Sequence, residues 1–149
     1  MAKSQKIRAA SKKVLEPFLA DQGFQGKHPH FQRREGDTLH LLSVIYDKWG
    51  GGLVLEFARH AAGDLHTAWG KIIPEAKLEI GYCPADTRAR LVASDSGQGR
   101  YEDFFRYEQF AEDREQCEQL MSRLLALFDQ VNAWLREERV GKNISPFSC

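Results

Sequence analysis

The sequence predicts a single α+β domain: an antiparallel β-sheet, made of a meander plus one or two late strands, with an N-terminal helix and a long C-terminal helix packed on it. Two stretches near the chain ends have apolar residues every three or four positions, which predicts amphipathic helices. Between them lie segments with strand patterning, separated by turn residues. The length of 149 residues fits one domain over residues 1–149.

The first helix is predicted over about residues 4–21, where small and apolar residues recur at helical spacing. Pro17 should kink this helix or mark a break, because proline lacks an N–H and its ring crowds the preceding turn. Gly23 is a natural stop signal. The second helix is predicted as one long element over about residues 112–138, and residues 141–149 are expected to form a loosely held tail.

Three strands are predicted as an antiparallel meander joined by hairpins, over residues 31–35, 39–46 and 53–60. The second strand is apolar on both faces, which indicates a central strand covered by helices on one side and partly covered on the other. The long segment 61–86 shows no clear periodicity, which is typical of a functional loop or of one packed by its own side chains. Late strands are predicted within residues 87–93 and 101–107.

Composition excludes several classes of protein. The 21 basic and 21 acidic residues give a net charge of zero, which argues against a dedicated nucleic-acid binder. Three widely spaced cysteines do not suggest a disulfide framework, so we expect a reducing compartment, the cytoplasm. The N-terminus lacks the apolar core of a signal peptide, and no apolar run is long enough to span a membrane.

The chemical motifs that can be tested do not identify a reaction. His28 and His30 place two imidazoles near a strand start, but a metal site needs three or four ligands, so we expect no metal. The triple glycine at 50–52 precedes a strand rather than a helix, which favours a hairpin over a phosphate-binding loop. Cys83 would need a nearby base to act as a nucleophile, and a free cysteine more often packs as a small apolar residue. We expect no cofactor.

Aromatic and arginine residues provide the candidate binding surface. Trp49 follows Asp47 and Lys48 in the glycine-rich loop, and the sequence leaves open whether its indole is a partner anchor or part of the core. Four arginines, Arg88, Arg90, Arg100 and Arg106, would join this surface if the late strands pair with the meander. The result would be a concave arginine–aromatic patch, suited to an acidic or planar ligand.

Four segments also occur in a characteristic order: Gly23-Phe24 before Phe31-Gln32-Arg33-Arg34, then residues 47–56, then Thr67-Ala68-Trp69-Gly70, then Arg88–Leu91 before Asp103–Tyr107. This ordered set, from about residue 10 to about residue 135, resembles a bacterial family, the domain of unknown function 4304. The resemblance implies a bacterial protein whose antiparallel sheet carries terminal helices, and it implies no activity. It makes the loop at 47–52, Trp69 and Arg88–Arg90 candidates for a shared surface. Where related sequences often have Trp-Phe, this chain has Phe104-Phe105.

Two functional hypotheses follow. The first is a non-enzymatic bacterial protein-binding domain, for instance an immunity or antitoxin-like factor, acting as a monomer or a homodimer. The alternative is a small-ligand sensor or enzyme, with a pocket under segment 61–86 where His60, His66, Cys83 and Arg88 converge. A third and weaker option is nucleic-acid binding through the lysine-rich N-terminal helix. The candidate binding residues are Asp47, Lys48, Trp49, His60, Trp69, Arg88 and Arg90.

Overall fold

The computed structural model describes residues 5–48, 50–95 and 101–147 and has an α+β architecture, which confirms the predicted fold class. The helices are α1 (Gln5–Ala10), α2 (Glu16–Asp21), α3 (Arg114–Leu125) and α4 (Phe128–Glu137). The strands are β1 (Gln25–Lys27), β2 (His30–Glu35), β3 (Thr38–Tyr46), β4 (Gly52–Ala61), β5 (Leu65–His66), β6 (Ile72–Ile73), β7 (Arg88–Leu91), β8 (Phe105–Arg106) and β9 (Ile144–Pro146).

The main sheet has seven strands in the order β1-β2-β3-β4-β7-β9, and β8 pairs with the other end of β4. All described pairings in it are antiparallel, so the predicted β2-β3-β4 meander is confirmed. The late strand within 87–93 is present as β7. The one expected over 101–107 is reduced to the two residues of β8, because a 3₁₀ turn occupies 101–103.

The central strands bury side chains on both faces of the sheet. Leu42 of β3 lies opposite Phe57 of β4, and both enter a core covered by the helices. Their neighbours Leu41 and Ala58 lie opposite each other on the other face and enter a second core. Because side chains alternate along a strand, this pair of strands reads as a nearly continuous apolar run.

Segment 61–86 covers the second face. It contains the β5–β6 hairpin and three short 3₁₀ turns, and its own apolar side chains form most of the second core. The buried residues that it contributes are Ile73, Leu78, Ile80 and Cys83. Of the two alternatives expected for this segment, packing by its own side chains is found, and a functional role stays a prediction.

The N-terminal helix accommodates Pro17 by widening one turn. Residues Ser11–Leu15 form a π-helical segment between α1 and α2, and the proline lies in the first turn of α2. Proline removes one helical N–H and its ring would collide with the carbonyl four residues earlier in a regular helix. A π turn displaces that carbonyl, so the helix continues to Asp21 without stopping.

The prediction of a single long C-terminal helix over 112–138 is wrong, because α3 ends at Leu125 and α4 begins at Phe128. Leu127 adopts φ −96° and ψ 3°, which interrupts the α-helical geometry. The apolar stripe continues across the break, from Leu124 to Phe128 and Val131, so periodicity alone could not reveal it. Helix α3 packs against the N-terminal helix, whereas α4 packs against β4 and β9.

The prediction of a loosely held tail is also wrong over residues 143–147. Strand β9 pairs with β7, and Ile144 is buried in the helix-side core. Asn143 exchanges two hydrogen bonds with the side chain of Gln130, of 2.8 and 3.1 Å. The backbone N–H of Phe147 donates to the carbonyl oxygen of Arg88 over 3.0 Å.

A buried arginine and a buried histidine join the sheet to the terminal helices. Arg33 donates from Nε to His40 Nδ1 over 3.1 Å, and its guanidinium also donates to Asn132 Oδ1 on α4 over 2.9 Å. Glu35 balances its charge at 3.3 Å. Burial, assisted by the charge of Arg33, lowers the pKa of His40 to about 4. His40 is therefore a neutral acceptor at Nδ1.

This network makes stability depend on pH. Unfolded His40 takes up a proton as pH falls below 6.5, whereas folded His40 stays neutral down to about 4, so stability falls with pH across that window. The lowered pKa corresponds to about 3 kcal/mol lost by pH 4. We expect His40→Asn, which keeps an acceptor, to lose less stability than the wild type between pH 7.5 and 4.5 in urea denaturation. His66→Asn, at an exposed histidine, is the control; equal losses in wild type and His40→Asn would contradict the assignment.

Candidate functional site

Strands β4 and β7 place a carboxylate against two arginines on the sheet face opposite the helices. Glu56 lies in register with Arg90, and Arg88 stands on the same face because it is two residues away on β7. The alternate residues of β7, Ala89 and Leu91, enter the helix-side core. Because side chains alternate along a strand, β7 places its two arginines on one face of the sheet and its two apolar residues in the core on the other.

Both oxygens of the Glu56 carboxylate accept hydrogen bonds from arginine. Arg88 donates to Oε1 from Nε over 3.1 Å and also from Nη2. Arg90 donates from Nε to Oε2 over 3.4 Å. The carboxylate is 4% exposed, whereas the arginine side chains are 24% and 27% exposed. One buried negative charge is therefore shared by two partly solvated positive charges.

Aromatic rings flank the two arginines. The Phe147 ring centre lies 4.7 Å from Cζ of Arg88 and 5.1 Å from Cζ of Arg90. Phe104 lies 5.9 Å from Cζ of Arg90. Because β7 pairs with β4, the structure brings Arg88 and Arg90 together, with Phe104 beside Arg90. Arg106 lies on β8 and pairs with Glu108, while Arg100 lies outside the described residues. Sequence reasoning missed Glu56 and Phe147; a lone acid within the apolar run of β4 was the available signal for Glu56.

The glycine-rich loop closes the β3–β4 hairpin. The N–H of Asp47 donates to the carbonyl oxygen of Gly52 over 2.9 Å, and that of Gly50 donates to the carbonyl oxygen of Asp47 over 2.9 Å. Gly50 and Gly51 have φ of 85° and 94°, in the left-handed region that favours glycine. This geometry agrees with a hairpin and not with a phosphate cradle. Lys48 is exposed, and Trp49 lies outside the described residues.

Trp69 projects from the tip of the β5–β6 hairpin and is 74% exposed. Thr67 fixes this tip, because its N–H donates to the Lys71 carbonyl oxygen and its Oγ1 accepts from the Lys71 N–H, both over 2.9 Å. Gly70 supplies the left-handed φ of 86° that the turn needs. Ile72, on the same hairpin, is 54% exposed. A rigid turn therefore presents an indole and an aliphatic side chain to solvent.

The predicted convergence of His60, His66, Cys83 and Arg88 into one pocket is not found. His60 Nδ1 lies 2.7 Å from the carbonyl oxygen of Ala61, and His66 is exposed on β5. Cys83 is buried in the second core, where burial raises the pKa of its thiol to about 11. A thiol in this state is not poised as a nucleophile.

A groove of about 270 Å³ does lie beneath segment 61–86, between strands β1–β3 and residues 76–80, but other side chains line it. His30 Nδ1 lies 2.8 Å from Ser43 Oγ, and His30 Nε2 lies 3.6 Å from Glu79 Oε2. Ser43 is buried and is one of the residues that line the groove. No group of three His, Cys, Asp or Glu side chains suited to a metal ion occurs among residues 5–48, 50–95 and 101–147.

Together, the fold and these surfaces define an α+β domain with helices on one face of an antiparallel sheet and an irregular cover on the other. Comparisons with protein-family models, with curated proteins and with solved structures found no match. The resemblance to the domain of unknown function 4304 therefore stays a prediction. In the part of the chain that the structure describes, no helix has both the length and the apolarity needed to cross a bilayer.

The Glu56 cluster should be essential for stability. Glu56→Gln keeps the shape of the side chain and removes the charge that two arginines share, so we expect a loss of about 3 kcal/mol in the free energy of unfolding. The matched control is Glu137→Gln, in an exposed ion pair with Arg139, with an expected loss below about 1 kcal/mol. Urea denaturation measures both. Equal effects of the two substitutions would show that the buried cluster does not stabilise the sheet.

Proposed function

We propose that this chain is a non-enzymatic bacterial protein-binding domain, in the manner of immunity or antitoxin-like factors, and that the Trp69 hairpin anchors the partner. The observation that carries the proposal is the 74% exposure of a tryptophan on a hydrogen-bonded turn. An exposed indole buries a large apolar area when it enters an apolar pocket of a partner, which favours binding. Tryptophan is also enriched among the residues that dominate binding energies.

The rigidity of the hairpin favours the same role. Because the Thr67–Lys71 hydrogen bonds already hold the turn, little backbone entropy remains to be lost when a partner binds. Ile72 extends the apolar contact beyond the indole. Both described cysteines, Cys83 and Cys117, are free and buried, which supports our placement of the protein in a reducing cytoplasm.

Capture from extracts of the native host tests the proposal. We expect immobilised wild-type chain to retain one specific protein, and Trp69→Ala to lose it because the anchor is removed. Val140→Ala is the matched control, since Val140 is also an exposed apolar residue, at 57%. With the purified partner, calorimetry should show Trp69→Ala binding at least roughly 30-fold more weakly, the effect of a hot spot. Equal affinity of Trp69→Ala and wild type would reject the anchor.

An antitoxin-like role makes a further demand on the captured partner. Expressed alone, the partner should arrest growth, and co-expression of the wild-type chain should restore it. Trp69→Ala should restore growth less well than Val140→Ala. A partner that is harmless when expressed alone would leave the binding proposal standing and remove the antitoxin-like role.

The alternative function, a small-ligand sensor or enzyme, is favoured by one observation, the groove under segment 61–86. In it, His30 can accept the Ser43 proton at Nδ1 while Nε2 faces Glu79. A neutral imidazole with this orientation could act as a general base towards Ser43, which would attack the carbonyl carbon of a small uncharged ester. The departing alcohol would take the proton from the imidazolium, and water would then release the acyl group from Ser43.

Covalent labelling tests this alternative. If it holds, a fluorophosphonate probe should label Ser43 in the wild type, label Ser43→Ala not at all, and label His30→Ala at least roughly 100-fold more slowly. Ser122→Ala, at an exposed helical serine, is the control and should label as the wild type does. Mass spectrometry of the labelled peptide gives the readout. Labelling no faster than that of heat-unfolded protein would exclude a serine nucleophile.

A further inference from the structure

The arginine pair on β7 carries more positive charge than the neighbouring carboxylate can balance. Both oxygens of the Glu56 carboxylate already accept hydrogen bonds from arginine, and its single negative charge stands against two positive charges. Within residues 5–48, 50–95 and 101–147, the Arg90 side chain makes no hydrogen bond or ion pair other than the 3.4 Å bond from its Nε. Its two Nη groups, which carry four N–H donors, therefore remain available to another acceptor.

A serine lies opposite Arg90 on the neighbouring strand. Ser145 of β9 lies in register with Arg90, and directly opposed residues of an antiparallel pair project from the same face. Their Cβ atoms are about 5 Å apart in such a pair. Ser145 is half-buried, and among the described residues its hydroxyl has no hydrogen-bond partner. A group bound at the Nη groups of Arg90 would therefore lie on the same face of the sheet as this hydroxyl.

The aromatic rings favour one orientation of the guanidinium groups. Phe147 lies against both arginines, at 4.7 and 5.1 Å, and Phe104 lies 5.9 Å from Arg90. The N–H groups of a guanidinium lie in its plane. Aromatic rings that contact its faces leave these donors free at its edge, where two of them can pair with two oxygens of one anion. The partial exposure of both arginine side chains leaves a route for such an anion from solvent.

We infer that Arg88, Arg90 and Ser145 form an oxyanion-binding site, which takes one carboxylate or phosphate group. The bound group pairs with the Nη donors of Arg90 and accepts from the Ser145 hydroxyl, so that its negative charge adds to that of Glu56 opposite the two arginines. The group comes either from a free small molecule or from a side chain of a protein. The site does not depend on the Trp69 hairpin or on the proposed function.

Nuclear magnetic resonance of the full chain tests the site, with inorganic phosphate exchanged for chloride at constant ionic strength. We expect a saturable shift of the Nε–Hε signal of Arg90, with a dissociation constant in the millimolar range. Ser145→Ala removes one hydrogen bond without touching the ion cluster, so affinity should fall roughly fivefold. Arg90→Gln should abolish the saturable shifts of the remaining site signals. Arg114→Gln, at an exposed arginine paired with Glu118, is the control and should bind as the wild type does.

A second titration, with a short phosphoserine peptide, distinguishes the sources of the anion. Affinity at least tenfold above that of inorganic phosphate identifies a protein side chain, and equal affinity identifies a free anion; both support the site. A shift that does not saturate, or saturable binding that survives unchanged in Ser145→Ala and Arg90→Gln, overturns it. The Ser145 variant and the wild-type signals decide the matter even if Arg90→Gln does not fold.

Discussion

Strand β4 is the element on which the rest of the molecule depends, because it pairs with β3, β7 and β8 and sends side chains into both cores. Of the charged residues in this strand only Glu56 is buried, and its carboxylate would be costly to bury without partners. The register of β7 supplies Arg88 and Arg90. A slip of β7 by one residue would turn both arginines into the helix-side core, so packing and ion pairing select the same register.

Much of the fold could be predicted because its determinants are local. The nearly continuous apolar runs of β3 and β4, a glycine after α2 and an apolar stripe near each chain end are visible in sequence. What could not be predicted depends on tertiary contacts. The break at Ala126–Leu127 contains neither proline nor glycine, and the stripe continues through it. Strand β9 is short and ends at a proline, so only its pairing with β7 and the Gln130–Asn143 hydrogen bonds define it.

The candidate site was predictable to a smaller extent for the same reason. Arg88 and Arg90 were identifiable as residues, but their shared partner is 32 residues away from Arg88 and emerges only from the β4–β7 register. The His30–Ser43 pair likewise requires the register of β2 with β3. Phe147 lies in the tail that the sequence predicts to be loose, so only the pairing of β9 with β7 places its ring beside the arginines. The histidines and Cys83 were candidates because imidazole and thiol groups are chemically reactive. Whether they can act as a catalytic group depends on their burial and on their distance from one another, which the sequence does not show.

The sheet divides the interior into two cores, and each holds one buried thiol: Cys117 in the helix-side core and Cys83, which segment 61–86 contributes, in the second core. Burial raises the pKa of both thiols, so neither reacts until its surroundings open. In a chain with Cys149 replaced by serine, the rates of thiol exchange at these two positions would report separately how often each half of the interior opens. Segment 61–86 has less regular hydrogen bonding than the helices, so thiol exchange should be faster at Cys83 than at Cys117.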